Sequence, residues 1–189
     1  MKDFLRNELI IKRKKLSKLD VINKSLLIEK KLFKLDEFKD SNNILFYVSY
    51  NNEVNTHEMI KKCLSMKKNI ILPISDVIKK ELILSKIDGW DDLNKGSYNI
   101  LEPAKINENK INLNDINIII IPAIGFDIKG NRIGHGYGYY DKLLKKSNKA
   151  HHIGLAFDFQ IVDQINIDKH DVPVDKILTE KRIINCNNQ

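Results

Sequence analysis

IIIIPAIGFDIKGNRIGHGYGYYDKLL, residues 118–144, passes from an apolar run through a glycine-rich stretch into a segment with helical spacing. Five of the chain's eight glycines (Gly125, Gly130, Gly134, Gly136, Gly138) fall within it. The apolar run is too short for a membrane span and suits a buried strand, so the order reads strand, loop, helix. Alternate glycines at 134, 136 and 138 remove Cβ atoms where the backbone turns through positive φ, which lets successive N–H groups converge on one anion. A helix beginning near Gly138 aims its N-terminal dipole at the same place. Arg132, His135 and Tyr137 lie in the loop, and Tyr139, Tyr140 and Asp141 on the first helical turn. Together they predict a phosphate site with a candidate metal ligand at its edge. The spacing matches neither the P-loop, since no Gly-Lys-Ser/Thr follows, nor the G-x-G-x-x-G dinucleotide fingerprint.

With 189 residues, the chain fits one domain with a substantial core, and nothing in it marks a boundary. A basic N-terminal segment without an apolar stretch, and the lack of a membrane-length run, predict a soluble cytoplasmic protein without a signal peptide. Cys63 and Cys186 are isolated in sequence, which fits a reducing compartment and excludes a disulfide frame. The net charge of +7 suits small anionic ligands. Lysine and asparagine are abundant enough to reflect coding composition, so the charge is discounted as a sign of nucleic-acid binding.

Residues 3–16 read as a helix with Leu5, Leu9 and Leu16 near one face and Lys2, Arg6 and Arg13 near another. Lys2 and Arg6 stand four apart and can reach one anion together. A second helix is expected over residues 20–38, with Leu26, Leu27, Leu32 and Leu35 as core candidates. NILFYV, residues 43–48, reads as a buried strand, followed by a polar turn and a helix through Lys67 capped by a box of Asn55 and Glu58. Glu53 lies between that strand and helix, the crevice region where parallel sheets bind ligands, although a loop carboxylate is by default solvated. Further strands are expected at residues 69–73, 81–87 and 152–157, with Trp90 as a packing residue and His151 and His152 as structural. Asp171 and Asp175 are placed to return to the loop and hold a hard cation with Asp141. Alternating strands and helices predict an α/β protein: a three-layer, Rossmann-like α/β/α domain spanning residues 1–189, with a largely parallel central sheet.

The order of motifs resembles the 5-formyltetrahydrofolate cyclo-ligase family, also called methenyltetrahydrofolate synthetase. The resemblance runs through KDFLR from Lys2, NNEVNT around Glu53, ILP ending at Pro73, ILEP with Glu102, the long PAIGFDIKGNRIGHGYGYYD signature, GLAFDFQIVDQI and HDVPVDKILTE. It implies an ATP-driven, Mg²⁺-dependent conversion of 5-formyltetrahydrofolate into 5,10-methenyltetrahydrofolate, with release of ADP and phosphate. By matching position, it makes Lys2, Arg6 and the loop residues Arg132, Gly134, His135, Gly136, Tyr137, Gly138, Tyr139 and Tyr140 ATP contacts, with Arg132 and Tyr140 as the catalytic residues. Val48, Glu53, Tyr98, His135, Tyr137 and Tyr139 become folate contacts, and Asp141 and Asp171 the Mg²⁺ ligands. The implied partners are two small molecules, without nucleic acid or membrane, and a monomer is expected over an oligomer. The chain departs from the family's common residues at His135, where Arg or an aromatic is frequent, and at Tyr137, where Gly or Lys is frequent. A histidine there introduces pH sensitivity near neutrality. The competing classes are an RNA-binding module using the basic helix, disfavoured because the aromatics cluster at one loop, and an enzyme acting on sugar phosphates or CoA.

Overall fold

The computed structural model describes residues 2–96, 99–104, 111–168 and 171–186. In chain order the elements are α1 (Lys2–Lys14), α2 (Lys18–Leu32), α3 (Asp36–Lys39), β1 (Asn43–Leu45), α4 (His57–Ser65), β2 (Asn69–Asp76), β3 (Glu81–Ile87), β4 (Leu93–Lys95), β5 (Leu101–Pro103), β6 (Ile118–Pro122), β7 (Gly125–Asp127), β8 (Arg132–Ile133), α5 (Tyr139–Leu144), β9 (His151–Leu155), β10 (Ile161–Val162), β11 (Lys176–Leu178) and β12 (Ile183–Asn185). Short runs of β-branched residues build the centre, a seven-stranded sheet ordered β12-β11-β9-β6-β1-β2-β3. Its five inner strands pair in parallel, whereas the edges β3 and β12 are antiparallel. Numbered among themselves, the parallel strands run 2-1-3-4-5. That is the doubly wound order in which winding reverses between β1 and β6.

Successive side chains point to opposite faces of a strand, so each strand feeds two cores. Ile44, Ile70, Ile118, Ile120 and Ile153 pack with Ile28 and Leu32 of α2, Phe38 of α3 and Met59 and Ile60 of α4. Leu45, Ile71, Ile119, Ile121 and Ile177 face Phe126, Leu143, Leu144 and Val174. The two faces are covered by different means. One is helical; the other carries the six-residue α5 and a small sheet ordered β10-β7-β8. Among the described residues no helix is long and apolar enough to cross a membrane.

Several sequence expectations shift. The helix expected over residues 20–38 begins at Lys18 and stops at Leu32, and α3 follows separately. Its start is set by a capping box that the sequence reading missed: Asp20 N–H donates to Ser17 Oγ at 3.1 Å, and Ser17 N–H to Asp20 Oδ2 at 3.2 Å. Leu26 and Leu27 are exposed, and Val21, Ser25, Ile28, Glu29 and Leu32 form the buried face instead. At α4 the expected box does not form, because Thr56 is the N-cap residue. Asn55 Oδ1 accepts from His57 N–H at 2.9 Å, and Glu58 pairs with Lys61. Trp90 packs against the core beside His57, as expected of a packing residue.

Asp127, fully buried, braces the turn between β7 and β8. Its carboxylate accepts from the N–H groups of Lys129, Asn131 and Ile165 and from Asn131 Nδ2, all within 2.9–3.0 Å. Gly154 lets β9 pass under the Phe126 ring: a Cβ there would stand 2.6 Å from Phe126 Cζ. Gly154→Ala is therefore expected to cost about 1–3 kcal/mol by overpacking, measured by urea denaturation; an unchanged midpoint would contradict this packing.

His57 and His152 are structural. Burial lowers the proton affinity of both rings, opposed at His152 by Asp175. Their folded-state pKa values lie below the unfolded value of about 6.5, so the stability they contribute is present above that pH and lost as pH falls through it. The carboxylates of Asp20, Asp36 and Glu37 are also lowered and lose their contribution only in stronger acid. Thermal stability should thus fall from about pH 6.5 to 5, and a His57→Gln/His152→Gln variant should lose most of that slope. An identical slope in the variant would assign it elsewhere.

Candidate active site

A cavity of about 880 Å³ opens where the winding reverses. Its floor is made by Tyr47 and Val48 after β1 and Pro122 and Ala123 at the end of β6; its sides by Lys2 and Arg6 of α1, by Tyr50 and Glu53, and by residues 132–142. Ligands of doubly wound sheets bind at this position because the crossovers diverge there and leave a crevice.

The glycine loop enters from β8 and ends in α5. Gly136 (φ +95°) and Gly138 (φ +71°) take the left-handed region, but Gly134 does not, so two of the three alternate glycines are needed for backbone shape. Added Cβ atoms at all three would meet nothing within 4 Å, which leaves the loop open toward the cavity. The α5 dipole is that of a helix of six residues, so side-chain cations carry most of the positive field. Arg6 Nε donates to the Gly134 carbonyl at 3.0 Å, tying α1 to the loop. Lys2 Nζ lies 2.8 Å from Asp168 and 3.3 Å from Asp171, and its proton is held more tightly than usual, chiefly by the Asp168 hydrogen bond.

Arg132 is buried at the root of the loop and donates to the Val172 carbonyl and the Asp141 carboxylate. Burial lowers its pKa, and the negative charges of Asp141 and Asp171 oppose that shift. Next to it, the Tyr140 hydroxyl is pushed well above its ordinary range by burial and by the charge of Glu53, with Arg132 opposing. It is therefore a neutral hydrogen-bond donor at physiological pH.

Glu53 is not solvated as a loop carboxylate would be by default. Its side chain is 6% exposed; Oε1 lies 3.7 Å from Arg13 Nη1 and 4.0 Å from His135 Nε2, and Oε2 accepts from Tyr50 N–H at 3.2 Å. His135 is exposed and sits 3.4 Å from the Tyr50 hydroxyl. Every anticipated site residue from Lys2 to Asp171 lines the cavity except Tyr98, which lies outside the described residues. Asp175 does not join the set: its Oδ2 accepts from His152 N–H at 2.7 Å, capping β9.

Two residues were missed. Arg13, read as part of a basic face, is buried against Glu53; its spacing from Leu9 and Leu16 places it on the apolar stripe, and that was the available signal. Glu102 is a second buried carboxylate on the cavity wall, accepting from Ser75 N–H at 3.1 Å.

Residues 1–180 match the model of the 5-formyltetrahydrofolate cyclo-ligase family. The chain belongs to that family. The mouse 5-formyltetrahydrofolate cyclo-ligase is 31% identical over 186 residues, covering 93% of this chain and 92% of the mouse protein. The Haemophilus influenzae enzyme of the same name is 32% identical over 147 residues, 76% and 79% of the two chains. Among solved structures, the 5,10-methenyltetrahydrofolate synthetase of Aquifex aeolicus superposes with a TM-score of 0.87 at 32% identity, covering all of this chain and 94% of that one. The synthetase of Mycoplasma pneumoniae gives 0.76 at 25% identity, over 95% and 98%.

The family implies a magnesium ion. Among the described residues no group of three or more His, Cys, Asp or Glu side chains is arranged to hold a metal. Asp141 and Asp171 both face the cavity, however, and their hydrogen bonds fall on Oδ1 of the first and Oδ2 of the second. Among the described residues one oxygen of each is left over, a donor set that fits Mg²⁺, which takes one or two carboxylates and fills its shell with water and substrate phosphates.

The Arg6 contact supplies a direct test of the loop's anchoring. Arg6→Ala should speed amide hydrogen exchange across residues 134–138 while leaving the central strands unchanged. Equal exchange in both proteins would show that the loop holds its shape without α1.

Proposed function

We propose that this cavity converts 5-formyltetrahydrofolate into 5,10-methenyltetrahydrofolate at the expense of ATP, with Mg²⁺, releasing ADP and phosphate. The observation that carries the reading is the meeting, in one cavity, of a cationic glycine loop rooted on Arg132 and a buried carboxylate, Glu53. The first suits a nucleotide's phosphates and the second the N–H donors of a pterin. The working form we infer is a cytoplasmic monomer without nucleic-acid or membrane partners.

The substrate's formyl group is an amide on N5, whose carbonyl oxygen is a poor leaving group. Phosphorylating that oxygen creates an iminium-like carbon bearing phosphate. N10 of the same folate then attacks the carbon, the C–O bond breaks, and phosphate departs as the five-membered ring closes, with the N10 proton leaving to the departing phosphate or to water. Both nucleophiles belong to the substrate, so the protein's work is alignment and charge neutralisation.

Lys2, Arg6 and Arg132 neutralise phosphate oxygens, and the open backbone of Gly134, Gly136 and Gly138 admits them closely. Tyr140, kept protonated, donates a hydrogen bond toward the reacting oxygens, and Tyr139 and Tyr137, with rings 5.8 Å apart, wall the site against water. Glu53 and Val48 seat the pterin, with His135 over the same end. Asp141 and Asp171 would hold Mg²⁺, which when bound screens the repulsion between the ATP oxygens and the carbonyl oxygen.

The test is the near-ultraviolet absorbance of the methenyl product when protein, 5-formyltetrahydrofolate, Mg²⁺ and ATP are mixed. An ATP-dependent rise is expected. In Arg132→Lys, which keeps charge but loses the paired N–H donors, kcat should fall about 10²-fold or more. No product from the folded protein, or an ATP-independent rise, would overturn the reading.

A further inference from the structure

Arg13 is where the packing of α1 breaks its own rule. Leu9 and Leu16 flank it on the face turned toward the core, and its side chain is 5% exposed. A guanidinium in that position forfeits water, and among the described residues Arg13 Nη1 is the buried side-chain atom left without a hydrogen bond. Its partner, Glu53 Oε1, stands 3.7 Å away, beyond hydrogen-bond range. Replacing such a pair as a whole by apolar side chains of similar volume is often neutral for the fold, so the pair is weak evidence for a role in stability.

What the pair does supply is a fixed carboxylate. Arg13 does not line the large cavity; it borders a small void behind the wall with Tyr47, Val54 and Gln160, whereas Glu53 faces both spaces. The same end of α1 also grips the loop that carries Glu53. Asn52 Nδ2 donates to the carbonyls of Leu16 at 3.1 Å and Arg13 at 3.3 Å, and both Asn51 (φ +46°) and Asn52 (φ +57°) hold the turn in the left-handed region.

We propose that Arg13 is a positioning residue for folate binding: from behind the cavity wall it holds Glu53 as an oriented anion able to accept two adjacent N–H donors of the pterin. This rests on the proposed reaction and assigns a role to a residue that does not touch either substrate. Among the described residues, the other groups facing Glu53 cannot replace it. His135 approaches from the glycine loop at 4.0 Å but is 40% exposed and screened by water. Tyr50 contributes a backbone N–H, which carries no net charge, and the hydroxyls of Tyr47 and Tyr140, both raised in pKa with Glu53 among the causes, stay neutral. Without Arg13, no cation among the described residues holds the Glu53 carboxylate from behind the wall, and its oxygens can turn away from the pterin's donors.

The experiment compares Arg13→Leu, Arg13→Lys, Glu53→Gln and the Arg13→Leu/Glu53→Gln double variant by steady-state kinetics from about pH 6 to pH 8.5. In Arg13→Leu the KM for 5-formyltetrahydrofolate should rise about tenfold or more across that range, a loss on the scale of a desolvated charge pair. The KM for ATP should stay within about twofold, Arg13→Lys should restore most of the loss, and the double variant should be no worse than Glu53→Gln alone. Equal rises in both KM values at every pH, additive losses in the double variant, or a folded Arg13→Leu with wild-type folate affinity would overturn the proposal. So would failure of Arg13→Leu to fold, which would assign the pair to stability. Absence of turnover in the wild-type protein would instead reject the reaction itself.

Discussion

The guanidinium of Arg132 is the point at which separate parts of the fold must agree. It is carried by β8, pairs with Asp141 on α5 and with the carbonyl of Val172, and lies within the field of Asp171. A buried cation is tolerated only where its partners are fixed in advance, since breaking such a pair typically costs about 3–5 kcal/mol. The small sheet, the Asp127 turn and the first turn of α5 can all be understood as the frame that fixes them. The same frame sets where the glycine loop leaves the sheet, and hence the place proposed for phosphate oxygens.

Helix α1 links this region to the other end of the cavity. At 13 residues it is about 20 Å long, with Lys2 and Arg6 beside the loop and Arg13 against Glu53. One rigid element therefore contributes cations to both proposed substrate positions, and its docking across the mouth of the crevice decides their separation. A reaction whose two nucleophiles come from the substrates depends on such spacing more than on any reactive side chain.

The sheet was legible because isoleucine-rich runs interrupted by helical spacing admit few arrangements, and the glycine loop because its composition departs so sharply from the rest. The order 2-1-3-4-5 was not, since nothing local to a strand states its neighbour. Leu26 and Leu27 were misassigned to the core because α2 carries apolar residues on more than one face, so periodicity alone does not choose between them. Glu53 was placed in the right crevice by position, but its burial depends on Arg13, forty residues earlier in the chain, and on Asn52 clamping the turn to α1. Those are tertiary facts. The burial of Arg13 itself was written in its spacing from Leu9 and Leu16, and charge obscured it.

The measurement that most directly tests this account follows the formyl oxygen. 5-Formyltetrahydrofolate labelled with ¹⁸O in the formyl group is converted with unlabelled ATP and Mg²⁺, and the released phosphate is examined by mass. Phosphorylation of the formyl oxygen predicts one ¹⁸O in each phosphate released, because the C–O bond breaks and the label leaves with phosphorus. Label recovered in water, with unlabelled phosphate, would mean that ATP is hydrolysed apart from the folate, and would contradict the alignment of the two substrates that the cavity is held to provide.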